Sequence, residues 1–170
     1  MQKLPIFGMV LLIAGSFGTQ QSTSSMNSSQ PEMIRTASTS AQSETEFNLR
    51  NYQWQHRMIL IFAPSDQSLP YQSQMQQWSN VTEAMHDRDL KLVEIFTTGQ
   101  SRLDHQPMTR ASSDRLQKQF GINPNEFAIV LVGKDGSEKQ RETTPTNPIV
   151  FFRTIDQMPM RQQEMRSNRE

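Results

Sequence analysis

The chain has 170 residues, 34% hydrophobic and 20% charged, enough for one modest domain with extensions. Its 17 basic and 17 acidic residues cancel to a net charge of +0, which excludes recognition of nucleic acid or of an anionic membrane surface by bulk charge. With 0 cysteines, disulfides, thiolate metal sites and thiol nucleophiles are excluded, and stability must come from packing.

Lys3, the apolar run Leu4 to Ala14, and small residues at Ser16 and Gly18 follow the pattern of an export signal. The expected signal covers residues 1–18, with cleavage after Gly18. The run is shorter than the about 20 apolar residues a membrane span needs, so none is expected in the mature form. Residues 19–46 are rich in Ser, Thr, Gln and Asn and cannot bury enough apolar surface to offset chain entropy. A disordered linker is expected there, followed by a domain over 47–166 and a tail over 167–170.

Met58-Ile59-Leu60-Ile61-Phe62-Ala63, closed by Pro64, reads as a central strand buried on both faces. Ser68 is placed to cap a helix in which Tyr71, Met75, Trp78 and Met85 recur at helical spacing over four to five turns, with Gln72, Gln74, Gln76 and Gln77 on the other positions. Leu90, Leu92, Val93, Ile95 and Phe96 form a second strand, parallel to the first through a right-handed crossover. Residues 99–108 read as a loop. Thr109 or Ser112 then caps a helix carrying Leu116 and Phe120, which Gly121 terminates.

Phe127 to Val132 is the strongest strand pattern, and Gly133-Lys134-Asp135-Gly136 turns it into a charged return strand, Glu138 to Thr143, suited only to a sheet edge. Asn147 caps a last helix with Pro148 in its first turn and Ile149, Phe152 and Ile155 on one face. The order β-α-β-α-β-β-α predicts an α/β, thioredoxin-like domain: a four-stranded mixed sheet flanked by helices.

Several segments also carry a family resemblance. They are Tyr52-x-Trp54-x-x-Arg57 before the first strand, Asp87-Arg88-Asp89-Leu90, Phe127 to Val132 with Gly133-Lys134-Asp135-Gly136 and Lys139, and Ile155-Asp156-x-Met158-Pro159-Met160-Arg161-x-x-Glu164-Met165. Together they resemble the DUDES family, an uncharacterised domain family regarded as thioredoxin-like and distantly peroxiredoxin-like. The resemblance covers roughly residues 47–166. It implies single-domain exported bacterial proteins and modules of secreted animal matrix proteins, the sushi-repeat kind among them, with no established activity.

In thioredoxins and peroxiredoxins the reactive cysteine follows the first strand, where helix amides lower its pKa. Here that stretch is Pro64-Ser65-Asp66-Gln67-Ser68, and a serine hydroxyl has no reversible redox couple. Pro124 is separated from Phe127 by two residues and is out of register with the proline that lines the thioredoxin groove. His56, His86 and His105 lie in three segments, so a metal site would need a coincidence of folding, and none is expected. No catalytic residue and no cofactor are assigned.

Two stretches remain as binding candidates. Pro64, Ser65, Asp66 and Ser68 stand at the start of the first helix, where free amides and hydroxyls can meet an anion or peptide. Met158, Pro159, Met160 and Arg161 are read as a helix break with both methionines packed on the sheet and Arg161 paired to Asp156 or Glu164; the alternative is an exposed contact surface. The expected function is a non-catalytic binding or adaptor module, periplasmic or secreted, with an extracytoplasmic protein or peptide partner and no nucleic acid. A structural envelope or matrix protein, and a non-thiol enzyme, are the alternatives.

Overall fold

A computed structural model of the protein describes residues 43–167. The expected export signal, most of the linker and the last three residues lie outside the described residues. The first described segment is already tied down: the Thr45 amide donates to the Pro107 carbonyl (2.9 Å) and its carbonyl accepts from the Thr109 amide (3.1 Å).

The central strand forms as the apolar run predicts. β1 (Arg57–Ala63) is buried throughout and pairs in parallel with β2 (Leu90–Phe96) from Arg57 opposite Leu90 to Ala63 opposite Phe96. Its other neighbour is β5 (Ala128–Val132), antiparallel, and β6 (Glu138–Glu142) closes that side as the charged edge.

Among the described residues the sheet has six strands, not four, in the order β4-β3-β2-β1-β5-β6. The extra pair, β3 (Arg102–Leu103) and β4 (Gln106–Pro107), lies within the segment expected to be a loop. Two residues per strand carry no visible alternation, so the sequence pattern has nothing to register. Asp104 and His105 make the two-residue turn between them, with φ of 44° and 69°. Positive φ at both positions is the geometry that matches strand twist in short hairpins, usually supplied by Asn-Gly.

The expected long first helix divides into α1 (Leu69–Trp78) and α2 (Thr82–His86). Ser79 and Asn80 are poor helix interiors because their side chains compete for backbone groups, and the Ser79 hydroxyl bonds back to the Gln76 carbonyl (2.9 Å). Gln74, expected on the solvent side, is buried and exchanges two hydrogen bonds with the Thr146 backbone (2.8 and 2.6 Å).

α3 (Arg110–Phe120) follows expectation, with Thr109 as N-cap and Gly121 taking the left-handed conformation at φ 64°. The Asn147 Oδ1 accepts from the Ile149 amide and caps α4 (Pro148–Asp156), whose buried face is Phe151, Phe152 and Ile155, while Ile149 is exposed. A further helix, α5 (Pro159–Ser167), follows the break at Pro159.

Each face of the sheet has its own core. Ile59, Ile61, Ala63 and Ile129 pack under Tyr71 and Trp78 of α1 and Phe151, Phe152 and Ile155 of α4. Met58, Leu60, Phe62 and Val130 pack under Leu116 of α3, with Phe47 and Leu49 from the entering chain. Alternate residues of one strand thus serve two cores, which is why the run reads as continuously apolar.

Candidate functional site

The candidate residues fall at opposite ends of β1, whose seven residues span about 20 Å at ~3.3 Å per residue. Pro64, Ser65, Asp66 and Ser68 follow its C-terminal end, while Met158, Pro159, Met160 and Arg161 gather near its N-terminal end.

At the first end the hydroxyls serve the backbone. Ser65 Oγ accepts from the Gln67 amide (3.3 Å), and Ser68 Oγ donates to the Ser65 carbonyl (2.9 Å). Ser68 occupies the N-cap position of α1 but makes no capping bond from its side chain, and Pro70 removes one of the amides a cap would satisfy. Asp66 pairs with Arg102 (3.4 Å), and Arg102 reaches Glu94 (3.6 Å).

Glu94 is the group that sequence reading overlooks here: it is 2% exposed within β2 and accepts a hydrogen bond from the Tyr71 hydroxyl. Burial, reinforced by that carboxylate, pushes the Tyr71 phenol well above its ordinary pKa, so it stays a hydrogen-bond donor. The one sequence signal was a lone glutamate inside Leu92-Val93-Glu94-Ile95-Phe96. The arrangement braces α1 against β2 and β3 and offers no nucleophile paired with a base.

The other end holds a network of four cations and four carboxylates. Arg57 is 1% exposed and forks onto Glu164 through both terminal nitrogens (3.0 and 3.1 Å), while donating to the Arg88 carbonyl (2.9 Å). Lys134 bridges Glu164 (2.8 Å) and Asp89 (2.7 Å). Arg88 forks onto Asp156 (3.0 and 2.7 Å) and stacks over the Phe152 ring at 4.8 Å. Arg161 is buried, bonds the Asp87 carboxylate and carbonyl, and lies 3.6 Å from both Asp156 and Glu164.

The expected pairing of Arg161 is therefore met by both acids, with Asp87 added. Burial by itself would raise the Glu164 pKa, but the hydrogen bonds and charges of Arg57 and Lys134 outweigh it and hold the carboxyl below its ordinary value.

The segments that carry the family resemblance, scattered through the sequence, supply all eight charged groups. Beside them lies a cleft of ≈ 380 Å³ lined by Trp54, Arg57, Lys134, Lys139 and Met158-Pro159-Met160 among others. Met158 is half-buried against the core, but Met160 is 37% exposed, contrary to the expectation that both pack on the sheet. Pro159 starts α5 at this point and turns Met160 outward, while Arg161 is drawn in by its ion pairs. Met160→Ala is accordingly expected to change stability by less than about 0.5 kcal/mol, as surface substitutions do. A loss near 2 kcal/mol in urea unfolding would restore the core reading.

Trp54 was not among the candidate residues, and it is the most unusual side chain on this end. It is 66% exposed and sits at φ 65°, a conformation that costs a bulky residue about 1–3 kcal/mol. Its amide donates to the Lys134 carbonyl (2.6 Å), which ties the strained residue to the charged network. The Nε of buried Arg57, on the same cleft, has no hydrogen-bond partner among the described residues.

The three histidines, expected to stay apart, line a separate cleft with Asp89 and Asp104. Among the described residues no group of histidines and carboxylates is spaced to hold a metal ion, and no helix is long and apolar enough to cross a membrane.

Known proteins bear on the fold and on the family. Reduced 2-Cys peroxiredoxin of Plasmodium vivax superposes with a TM-score of 0.55 at 13% identity, covering 69% of this chain and 72% of that one. Thioredoxin peroxidase I of Plasmodium yoelii gives 0.53 at 13% identity, over 68% and 79%. At that identity the likeness establishes a thioredoxin-like fold alone.

Among curated proteins, human sushi repeat-containing protein SRPX is 30% identical over 112 residues, 64% of this chain and 24% of that protein. Coiled-coil domain-containing protein 80 of Danio rerio is 24% identical over 133 residues, 69% of this chain and 15% of its own length. The chain thus spans less than a quarter of each of these relatives. A family profile described as a domain of unknown function, DUF4174, matches residues 48–164, nearly the whole described chain and every segment of the charged network, and the chain belongs to that family.

Proposed function

We propose that the protein is a non-catalytic binding module that works outside the cytoplasm and engages a protein or peptide through the cleft between Trp54 and the Met158-Pro159-Met160 segment. The observation that carries this reading is Trp54: an exposed indole in a strained left-handed conformation, its amide bonded to the Lys134 carbonyl, next to an exposed methionine. Strain that the surroundings maintain at a surface aromatic is a mark of a site, because folding alone would favour glycine there. Tryptophan, methionine and arginine are also the residues that interfaces concentrate.

The partner's chemistry follows from the lining. Arg57 and Lys134 are engaged by Glu164 and Asp89, and Lys139 by Asp135, while among the described residues one buried guanidinium N–H of Arg57 is unused. An apolar side chain followed by a carboxylate fits the exposed indole and that N–H. The absence of cysteine excludes thiol redox chemistry, and the leader-like segment at Lys3 to Gly18 supports an extracytoplasmic setting.

A photo-crosslinking residue placed at Met160, compared with the same residue at exposed Leu69 by the first end of β1, tests the assignment. In the extracytoplasmic fraction of the host, one discrete adduct is expected from position 160 and none from position 69. Adducts from position 69 alone would move the site to the Ser65 end, and adducts from neither would overturn the binding reading.

A further inference from the structure

The cleft that collects the histidines carries a second site, distinct from the Trp54 cleft. It measures ≈ 440 Å³ and lies between α1 and α2 on one side and β2 with the β3–β4 turn on the other. Volumes of about 300–1,000 Å³ with an apolar floor and a few polar groups at the rim are typical of small-molecule sites. Here Met75, Trp78, Met85 and Leu92 supply the floor. Trp78 is 5% exposed, and its indole N–H has no acceptor among the described residues.

The carboxylates of the rim are already paired within the protein. Asp104 is held by Lys91 (2.6 Å) and by the Leu92 amide (3.0 Å), and Asp89 is held by Lys134 (2.7 Å). Both rim carboxylates are thus neutralised by protein cations. His56, His86 and His105 are left, one from the segment before β1, one from α2 and one from the β3–β4 turn. Among the described residues none of the three imidazoles pairs with either carboxylate; His56 only packs against the Tyr52 ring at 6.1 Å.

Backbone of positive φ also gathers at the rim. Among the described residues four other than glycine have positive φ: Trp54 on the first cleft, and Asp89 (46°), Asp104 (44°) and His105 (69°) on this one.

We propose that this cleft binds a small apolar carboxylic acid, with the apolar body on the Trp78 and methionine floor and the carboxylate at the histidine rim, more tightly as the histidines gain protons. Histidine is the side chain whose charge ordinarily changes between about pH 5 and 8, so occupancy falls as the medium turns alkaline. Asp89 and Asp104 are already engaged, and Asp87 and Glu164, which line a neighbouring cleft with His86, are held by Arg161 and Arg57, so these carboxylates do not compete with the ligand's charge.

The chain has 2 tryptophans, so Trp54→Phe leaves Trp78 as the sole indole and makes its fluorescence a direct reporter of the cleft. The probe is 2-naphthoate, titrated at about pH 5.5 and about pH 8, with 2-naphthalenemethanol as the uncharged control. Expected is a saturable change in Trp78 emission with naphthoate, at least ~tenfold tighter at the lower pH, and no such dependence for the alcohol.

His86→Gln combined with His105→Asn, two exposed positions of which the second tolerates positive φ, should flatten the pH dependence while leaving the thermal midpoint in place. No fluorescence change at either pH overturns the site. Equal affinity at both pH values, or a pH dependence that survives the double variant, overturns the role of the histidines.

Discussion

Glu164→Gln destabilises the domain by about 3 kcal/mol in urea unfolding at neutral pH, the expected cost of removing one partner from a buried ion pair. The reason lies in Arg57, which is 1% exposed and donates from both terminal nitrogens to this carboxylate, the Arg88 carbonyl being its one neutral acceptor among the described residues. Glutamine offers one oxygen and no charge, so a guanidinium is left without compensation inside the fold. Lys134 loses its 2.8 Å contact with the same group.

The double variant Arg57→Met with Glu164→Gln should recover most of the loss, because exchanging a buried pair for apolar packing is often close to neutral. A single-variant loss below about 0.5 kcal/mol would mean that water screens the network.

The same carboxylate sets an acid limit. Its folded-state pKa lies below the ordinary value, so its contribution is complete above the unfolded pKa of about 4.3 and disappears as the pH falls through the folded value. The difference between wild type and Glu164→Gln should therefore be widest near neutrality and close below about pH 4. A difference that stays constant into strong acid would assign the loss to packing.

Trp54→Gly separates binding from folding. Glycine accepts φ 65° without a Cβ penalty, so relief of about 1–2 kcal/mol of strain offsets the ~0.5–1 kcal/mol of chain entropy glycine adds to the unfolded state. Stability should be unchanged or higher by up to about 1 kcal/mol. The cleft meanwhile loses its aromatic wall, and adduct formation from position 160 should fall at least ~tenfold, since tryptophan hot spots are worth about 2 kcal/mol or more. Trp54→Ala keeps the strain and loses the ring, and should lose both stability and binding relative to Trp54→Gly. Undiminished crosslinking in either variant would remove Trp54 from the site.

Much of the fold was legible because the strongest elements are locally self-consistent. Met58 to Ala63 and Phe127 to Val132 are continuous apolar runs, and only strands serving two cores read that way. Thr109, Gly121, Asn147 and Pro148 are punctuation with local physics, and each stands at a helix boundary. The failures fall where two local tendencies compete. Met85 continued the helical spacing, but Ser79 and Asn80 broke the helix before it. The β3–β4 pair is too short to show a period.

The candidate sites were half legible. Met158 to Arg161 was singled out, yet Met160 and Arg161 exchange the environments their polarity suggests: the methionine is exposed and the arginine buried. Arg161 goes inside because Asp87, Asp156 and Glu164, distant in sequence, converge on it. Trp54 was quoted as part of the family motif but not singled out as a binding candidate, because its backbone angle and exposure mark it out only in the fold.

The sequence by itself determined the lack of thiol chemistry, the two-faced central strand and the charged edge, because these depend on residue type and on neighbours a few positions away. The tertiary structure decided which charges are buried together and that three histidines from separate segments share one cleft. Ion pairing and cleft formation depend on separations of a few ångströms between residues up to 107 positions apart, and nothing in local spacing encodes that distance.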